Sequence, residues 1–375
     1  MARTRKSTVI QGMTVVLDKG KEPGKNVRPV PCIQYSDIPN RINVANCVYL
    51  SQNSMVFLLY PNRLLMPTLM LGSLFLLACD LPVGQRGTCQ VSSYLDTSRT
   101  EYIFPYAINE PDLTLELDHA LEEISGLDLT LDQKYLVAMQ DEDGLLFYLD
   151  RNTGAIVEEF GFWKDGDYEG VETIDQDIYV VKSSGTLYHV QQPGSNQQEV
   201  TKYNGFLNGD NNVEGLAWDK ANNRLLLACK GEADTDPAEG PTKAIYAFDL
   251  EKKELLPDPA YCIRQKDVLD FLGVSPMARK IGKLVEFFDP EENDFSFSPS
   301  GITIHPQSGN LYILSAVGNV LMILAPDGAI RHLAKLDKDV HEQPEGICFD
   351  QAGILYIANE AGNEKPLIQR FSPKK

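Results

Sequence analysis

The chemistry open to this 375-residue chain is narrowed first by what it lacks. None of its five histidines or seven cysteines falls in an HExxH, a CxxC or another Cys/His metal spacing, so a zinc centre of that kind is excluded. There is no GxSxG elbow, P-loop or dinucleotide fingerprint, which removes the serine-hydrolase, NTPase and nicotinamide-enzyme motifs. Apolar runs are short as well. The one at 64–78, of about 15 residues and broken by Pro67, Thr68, Gly72 and Ser73, falls below the length of a membrane span. Positive charge is scarce, with 34 Lys and Arg against 53 Asp and Glu, a net charge of −19. The imbalance is uneven: residues 1–54 carry 8 basic and 3 acidic groups, whereas 80–375 carry 25 and 50. So acidic a body argues against nucleic acid or anionic headgroups as partners and is compatible with divalent cations. Simple solubility accounts for most of those charges.

What is present is a repeat. A short marker centred on glycine returns as Glu123-Ile124-Ser125-Gly126-Leu127, Tyr168-Glu169-Gly170-Val171, Val213-Glu214-Gly215-Leu216, Pro299-Ser300-Gly301-Ile302 and Gln343-Pro344-Glu345-Gly346-Ile347. The glycines are 44, 45, 86 and 45 residues apart. Each marker opens an alternating run, followed by a polar or glycine turn and further β-branched and aromatic runs, as in Leu311-Tyr312-Ile313-Leu314, Val317-Gly318 and Val320-Leu321-Met322-Ile323-Leu324. Period-two alternation broken by Gly, Asn and Asp signals short antiparallel strands. About four such strands per 44 residues make a propeller blade. No unit carries two amphipathic 3.6-period segments, so helical repeats are excluded.

The sequence therefore predicts an all-β, five-bladed β-propeller over 105–375, with six blades the alternative. The doubled interval between Gly215 and Gly301 is read as one blade plus a short helical insertion around 262–285. Leu113-Thr114-Leu115-Glu116-Leu117 precedes the first marker and has no blade of its own. It is expected to pair with the last blade, which is short of a strand, and so remove two sheet edges.

Upstream, Leu76-Leu77-Ala78-Cys79 resembles a bacterial lipobox. Residues 55–79 read as a lipoprotein signal peptide starting at Met55, with Arg63 as its early charge and Cys79 as the lipidated residue. Residues 1–54 are then a mis-called upstream segment or a basic disordered arm, and 80–104 a polar tether. This places the protein in the cell envelope, as a plasma-membrane lipoprotein facing the periplasm or as an outer-membrane or surface lipoprotein. The remaining cysteines are expected to form no disulfide framework, with Cys229 and Cys348 as buried small hydrophobes.

In a propeller the innermost strands line a central channel. The marker puts Glu123, Glu169, Glu214 and Glu345 near its mouth, with Ser300 where the fourth blade lacks an acid and Glu123 two residues out of step. Converging carboxylates repel unless a cation compensates, and Ca²⁺, which takes six to eight oxygens at about 2.3–2.6 Å, fits that need. Glutamates that cap backbone amides or pair with lysines are the competing reading. A second ring is expected where the next strand ends, with Asp141, Lys182, Lys230, Ser300, Asn359 and Glu360 at the mouth. Asp143 and Asp167 add acidic oxygens in neighbouring loops. His341 is read as a surface-loop residue near the mouth.

The markers, with Tyr356-Ile357-Ala358-Asn359-Glu360 after the last of them, make residues 105–372 resemble the SdiA-regulated, YjiK-like and CarP-like family of bacterial propellers, distantly similar to NHL-repeat proteins. That resemblance implies five blades, membrane association and bound Ca²⁺. Two functions of different class follow. One is a non-enzymatic, calcium-binding lipoprotein serving as a platform for an unknown small molecule or protein. The other is a calcium-dependent hydrolase, lactonase-like or phytase-like, with its site at the mouth. Lys182 and Lys230 discriminate: an anion-binding enzyme needs both pointing into the mouth, whereas a platform allows them to be held by glutamates.

Overall fold

A computed structural model describes residues 102–231, 233, 240–275, 282–289, 295–362 and 364–374 with their side chains. Within 1–78 it describes only the backbones of two short hairpins, Lys6–Ile10 with Met13–Leu17 and Tyr49–Leu50 with Ser54–Met55. The signal peptide apart from Met55, with Cys79, and all but the last three residues of the tether lie outside the described residues.

From Leu113 onward the chain forms five antiparallel sheets arranged as a propeller. Blade 1 runs from Ile124–Leu129 through Tyr135–Gln140 and Leu145–Asp150 to Ile156–Gly161. Blade 2 spans Tyr168–Ile174 to Glu199–Tyr203, and blade 4 spans Gly301–Ile304 to Ile330–Lys335. Blade 3 begins at Val213–Asp219, and its outer edge is split into Glu254–Leu255 and Tyr261–Arg264, both paired with Thr242–Asp249. Blade 5 has three strands of its own, Pro344–Phe349, Leu355–Asn359 and Leu367–Phe371. Leu113–Glu116 supplies the fourth, with Leu367 opposite Glu116 and Arg370 opposite Leu113. Five blades and closure by the N-terminal strand are as expected.

Burial follows from the radial plan. Middle strands such as Leu311–Ser315 and Val320–Leu324 are buried along their whole length, because each blade is covered on both faces by its neighbours. Outer strands such as Ile156–Gly161 and Glu199–Tyr203 face water, with Glu158, Glu159, Glu199 and Lys202 exposed. The core accordingly divides into five hydrophobic clusters, one at each seam between blades.

Two seams receive extra material. Helix α1 (Gln265–Val274) and helix α2 (Gly282–Phe288) form the insertion and place Val268, Leu272, Leu284 and Phe288 in the seam between blades 3 and 4. The seam between blades 4 and 5 is filled by the segment starting at Tyr102, through Tyr106 and Ile108.

The marker glycines mark the closest approach of the inner strands. A Cβ on Gly346 would stand 2.8 Å from Leu127 Cβ, and one on Gly301 would overlap the Glu345 carbonyl oxygen. Gly126, Gly170 and Gly215 meet Val171, Leu216 and Ile302 of the next blade in the same way, so the contact runs round the ring. Only glycine lets the backbones come this near the axis.

One expectation about the cysteines is corrected. Cys229 and Cys348 are free and buried, but Cys262 is disulfide-bonded. It lies on the split outer edge of blade 3, and no local spacing in the sequence marks it as a crosslink.

Candidate functional site

The inner strands carry a device that the sequence does not display. In blade 1 Ile124 pairs with Gln140 and Gly126 with Met139, leaving Ser125 unpaired. The register skips Glu169 between Tyr168 and Gly170, and Glu214 between Val213 and Gly215. It also shifts between Pro344 and Ile347, where Glu345 lies. The residue before each of these glycines therefore sits in a β-bulge, which takes it out of the ladder and re-aims its side chain.

What the position before the glycine presents, on a bulge in blades 1, 2, 3 and 5 and just ahead of the strand in blade 4, depends on the residue. Ser125 Oγ donates to the Tyr168 carbonyl of blade 2 at 2.8 Å, and Ser300 Oγ to the Pro344 carbonyl of blade 5 at 2.7 Å. The two serines thus tie their blades to the next. An ionised glutamate has no donor for that bond. Glu169, Glu214 and Glu345 instead come within electrostatic reach of one another around the axis.

Burial pushes the Glu169 carboxyl up to about 9, reinforced by Glu214, Asp167 and Glu345. Burial also raises Glu345 well above the usual carboxylate range, with Glu360 and Glu214 adding to it and Lys230 opposing. Glu214 is raised by burial and held back by Lys230, whose Nζ lies 3.2 Å from Glu214 Oε1. Asn212 Nδ2 donates to the same oxygen at 2.6 Å.

The second ring resolves into two sets because strand residues alternate in direction. Asp141, Lys230 and Glu360 occupy equivalent positions, their amides donating to the carbonyls of Glu123, Asn212 and Gln343. All three belong to the mouth. Burial and the neighbouring Glu123 push Asp141 up to about 6. Burial, Asp141 and Glu123 push Glu360 to about 7, against the pull of Gln343, which donates to Glu360 Oε2 at 2.5 Å. Lys182 and Asn359 belong to the other set, opposite Tyr168 and Pro344 in the ladder. Lys182 Nζ lies 6.0 Å from the centre of the Tyr168 ring, and Asn359 is buried with Nδ2 donating to Gln369 Oε1 at 3.2 Å. Exposed Glu123 lies ahead of the first inner strand, and Ser125 is the true equivalent of the other glutamates. In the loop before blade 2, Asp167 accepts from Ser183 Oγ.

His341 is a correction. It lies in the loop ahead of Pro344 but is fully buried, with Nε2 donating to the Ile108 carbonyl at 2.7 Å, and is not a surface residue.

Further along the axis the inner strands bring Asp128 and Glu172 together, each two residues after a marker glycine, a period-two signal that the sequence reading passed over. Burial pushes Asp128 up to about 6 even though it accepts from the Thr173 amide at 2.6 Å. Burial and then Asp128 raise Glu172 well above its ordinary value. The channel is thus acidic below its mouth as well.

Seven carboxylates gather at the mouth (Glu123, Asp141, Asp167, Glu169, Glu214, Glu345 and Glu360), with Lys230 the cation that acts on Glu214 and Glu345. Asp141 Oδ1 is buried there without a hydrogen-bond partner. This donor set matches a hard cation in charge and ligand type. It is not a closed cage. Among the described residues no three Asp, Glu, His or Cys side chains stand at metal-holding separations.

A family model described as SdiA-regulated matches residues 107–234 and 279–363. Among solved structures, a glutaminyl cyclase from Myxococcus xanthus is similar with a TM-score of 0.46 and 12% identity, covering 71% of this chain and 96% of its own. A luciferin-regenerating enzyme is similar with a TM-score of 0.40 and 12% identity, covering 66% of this chain and 77% of its own. No curated protein sequence matches the chain. All five marker glycines and every mouth residue from Glu123 to Glu360 fall inside the matched segments, and the chain belongs to the SdiA-regulated family.

Proposed function

We propose that this protein is a non-enzymatic envelope lipoprotein, anchored through Cys79, whose propeller is a platform with a Ca²⁺-binding mouth. The observation that carries the reading is the gathering of Glu169, Glu214 and Glu345, from three blades, on bulges around one axis. Carboxylates held in that way stay protonated or repel one another until a cation arrives. Glu169, Glu214, Glu345, Asp141 and Glu360 are the residues that would supply oxygens. Bound Ca²⁺ would supply the positive charge that Lys230 alone cannot.

The platform is favoured over a hydrolase by the lysines. Lys230 is held by Glu214 and Lys182 lies against Tyr168, so these two lysines do not form an inward-turned pair that would receive an anionic substrate. A disulfide at Cys262 is in keeping with an oxidising, extracytoplasmic compartment.

Calorimetric titration of the full chain with Ca²⁺, beside the Glu214→Gln and Glu345→Gln variants, tests the reading. Binding by the parent and its loss in both variants is expected. An equal heat in all three proteins would refute the mouth as the calcium site. Mass analysis of the mature N-terminus, with Cys79→Ser as control, tests the anchor separately.

A further inference from the structure

The segment from Tyr102 to Pro111 lies in the seam between blades 4 and 5, and three of the five histidines in the chain meet it there. Phe104 stacks on His332 with ring centres 4.7 Å apart and planes 17° from parallel. Tyr102 lies at 6.0 Å from the same imidazole, and its hydroxyl is 3.0 Å from that of Tyr312. The Tyr106 hydroxyl donates to the Gly353 carbonyl at 2.7 Å and takes a bond from His305 Nε2 at 3.2 Å. The Ile108 carbonyl accepts from His341 Nε2.

The surroundings of these imidazoles favour the neutral form, although the Nε2–H bonds to the segment are themselves compatible with either charge state. His305 donates from Nε2 and accepts the Ser308 amide at Nδ1, 3.2 Å away, so a proton on Nδ1 would set two donors face to face. His341 donates from Nε2, and its Nδ1 is buried without a partner, so a proton there would meet no acceptor. His332 is enclosed by aromatic rings that offer it no compensating carboxylate. The other titratable groups turned toward these rings are Tyr102, Tyr106 and Tyr312, with Asp337 near His341 and Asp350 near Tyr106.

We infer that residues 102–111 form an acid-released strap, latched into the seam by neutral His305, His332 and His341 and expelled when these imidazoles take up protons. Burial lowers all three histidines, His332 and His341 to about 4, so the latch holds at neutral pH and weakens as pH falls below the ordinary histidine value. Leu113–Glu116 stays in its ladder while the ten residues ahead of it come free. At about 3.3 Å per residue their release frees a segment that can reach at most roughly 30 Å.

Hydrogen exchange of the full chain, corrected for intrinsic rates, provides the test. The amides of Glu110, Asp337 and Lys374 report the latch, since they bond to Ala107, to Asn109 Oδ1 and to Pro105. Their protection is expected to drop at least tenfold between pH 7 and pH 4.5, while strands Asp177–Lys182 and Leu187–Gln191 of blade 2 hold theirs. In His332→Phe combined with His341→Gln the drop should shrink to threefold or less. Constant protection at the three amides, a parallel loss in blade 2, or a full drop in the double variant would each overturn the proposal.

Discussion

Blades 2, 3 and 5 carry glutamate in front of the marker glycine, whereas blades 1 and 4 carry serine; the register shifts there in blades 1, 2, 3 and 5, while in blade 4 the inner strand begins at the glycine itself. Serine turns inward on the ring and bonds the next blade's carbonyl. Glutamate, an acceptor only when ionised, finds no such partner and contributes charge to the axis. One position thus serves cohesion in two blades and the mouth in three. The marker repeat encodes a place where backbones touch, and the residue beside the glycine decides what that place does.

The largest effect should come from the feature both classes share. Gly301→Ala places a methyl group against the Glu345 carbonyl and should cost about 3 kcal/mol in chemical denaturation, from overpacking that the inner strands cannot relieve. If it costs no more than an alanine on an outer strand, close approach does not explain the repeat.

Next in size is a clamp between the first and last blades. Arg151 of blade 1 donates to Asp350 Oδ2 at 2.8 Å and to the Tyr356 hydroxyl at 2.6 Å, both in blade 5. Arg151→Met should cost about 1.5–3 kcal/mol, since it strands a nearly buried carboxylate. Denaturation midpoints in urea would measure it.

The glutamates should behave with the opposite sign. Asp141, Glu360 and Glu169 are raised to about 6, 7 and 9, so their contribution to stability is complete at acid pH and is lost as pH climbs through those values. In chelator the melting temperature should therefore fall from pH 5 to pH 9. Glu169→Gln should stabilise by about 1–2 kcal/mol at pH 9, after screening by solvent that still reaches this partly buried group, and by nothing at pH 4. Saturating Ca²⁺ should restore the parent at pH 9 and raise Glu169→Gln less. A melting temperature flat across that range would end the view of the mouth as uncompensated charge.

Ser125→Ala completes the contrast with the smallest effect, about 1 kcal/mol for the lost bond to Tyr168, equal at pH 5 and pH 9. A pH-dependent cost there would erase the distinction between the two classes.

Much of the fold was legible because its cause is local and repeated. A backbone contact that tolerates only glycine leaves a glycine at every turn of the ring, and strands covered on both faces leave apolar runs such as Val320 to Leu324. The stray strand at Leu113–Glu116 was assignable because the last blade came up one short. The site was less legible. Glu169, Glu214 and Glu345 could be named from the marker, but the second ring mixed two faces, since one residue of register decides whether Lys182 or Ser183 matches Lys230. His341 was misplaced because what covers it, Ile108, lies 233 residues earlier.

Alone, the sequence determined the number of blades and the closing strand, and it marked out the residues beside the repeat glycines, because period, alternation and glycine spacing are properties of neighbouring residues. Only the tertiary structure decided which residues bulge, which lysine meets a glutamate, and that three histidines close under one strap. Those outcomes depend on ladder register and on contacts between segments remote in the chain, where water is excluded and a charge is raised, paired or refused.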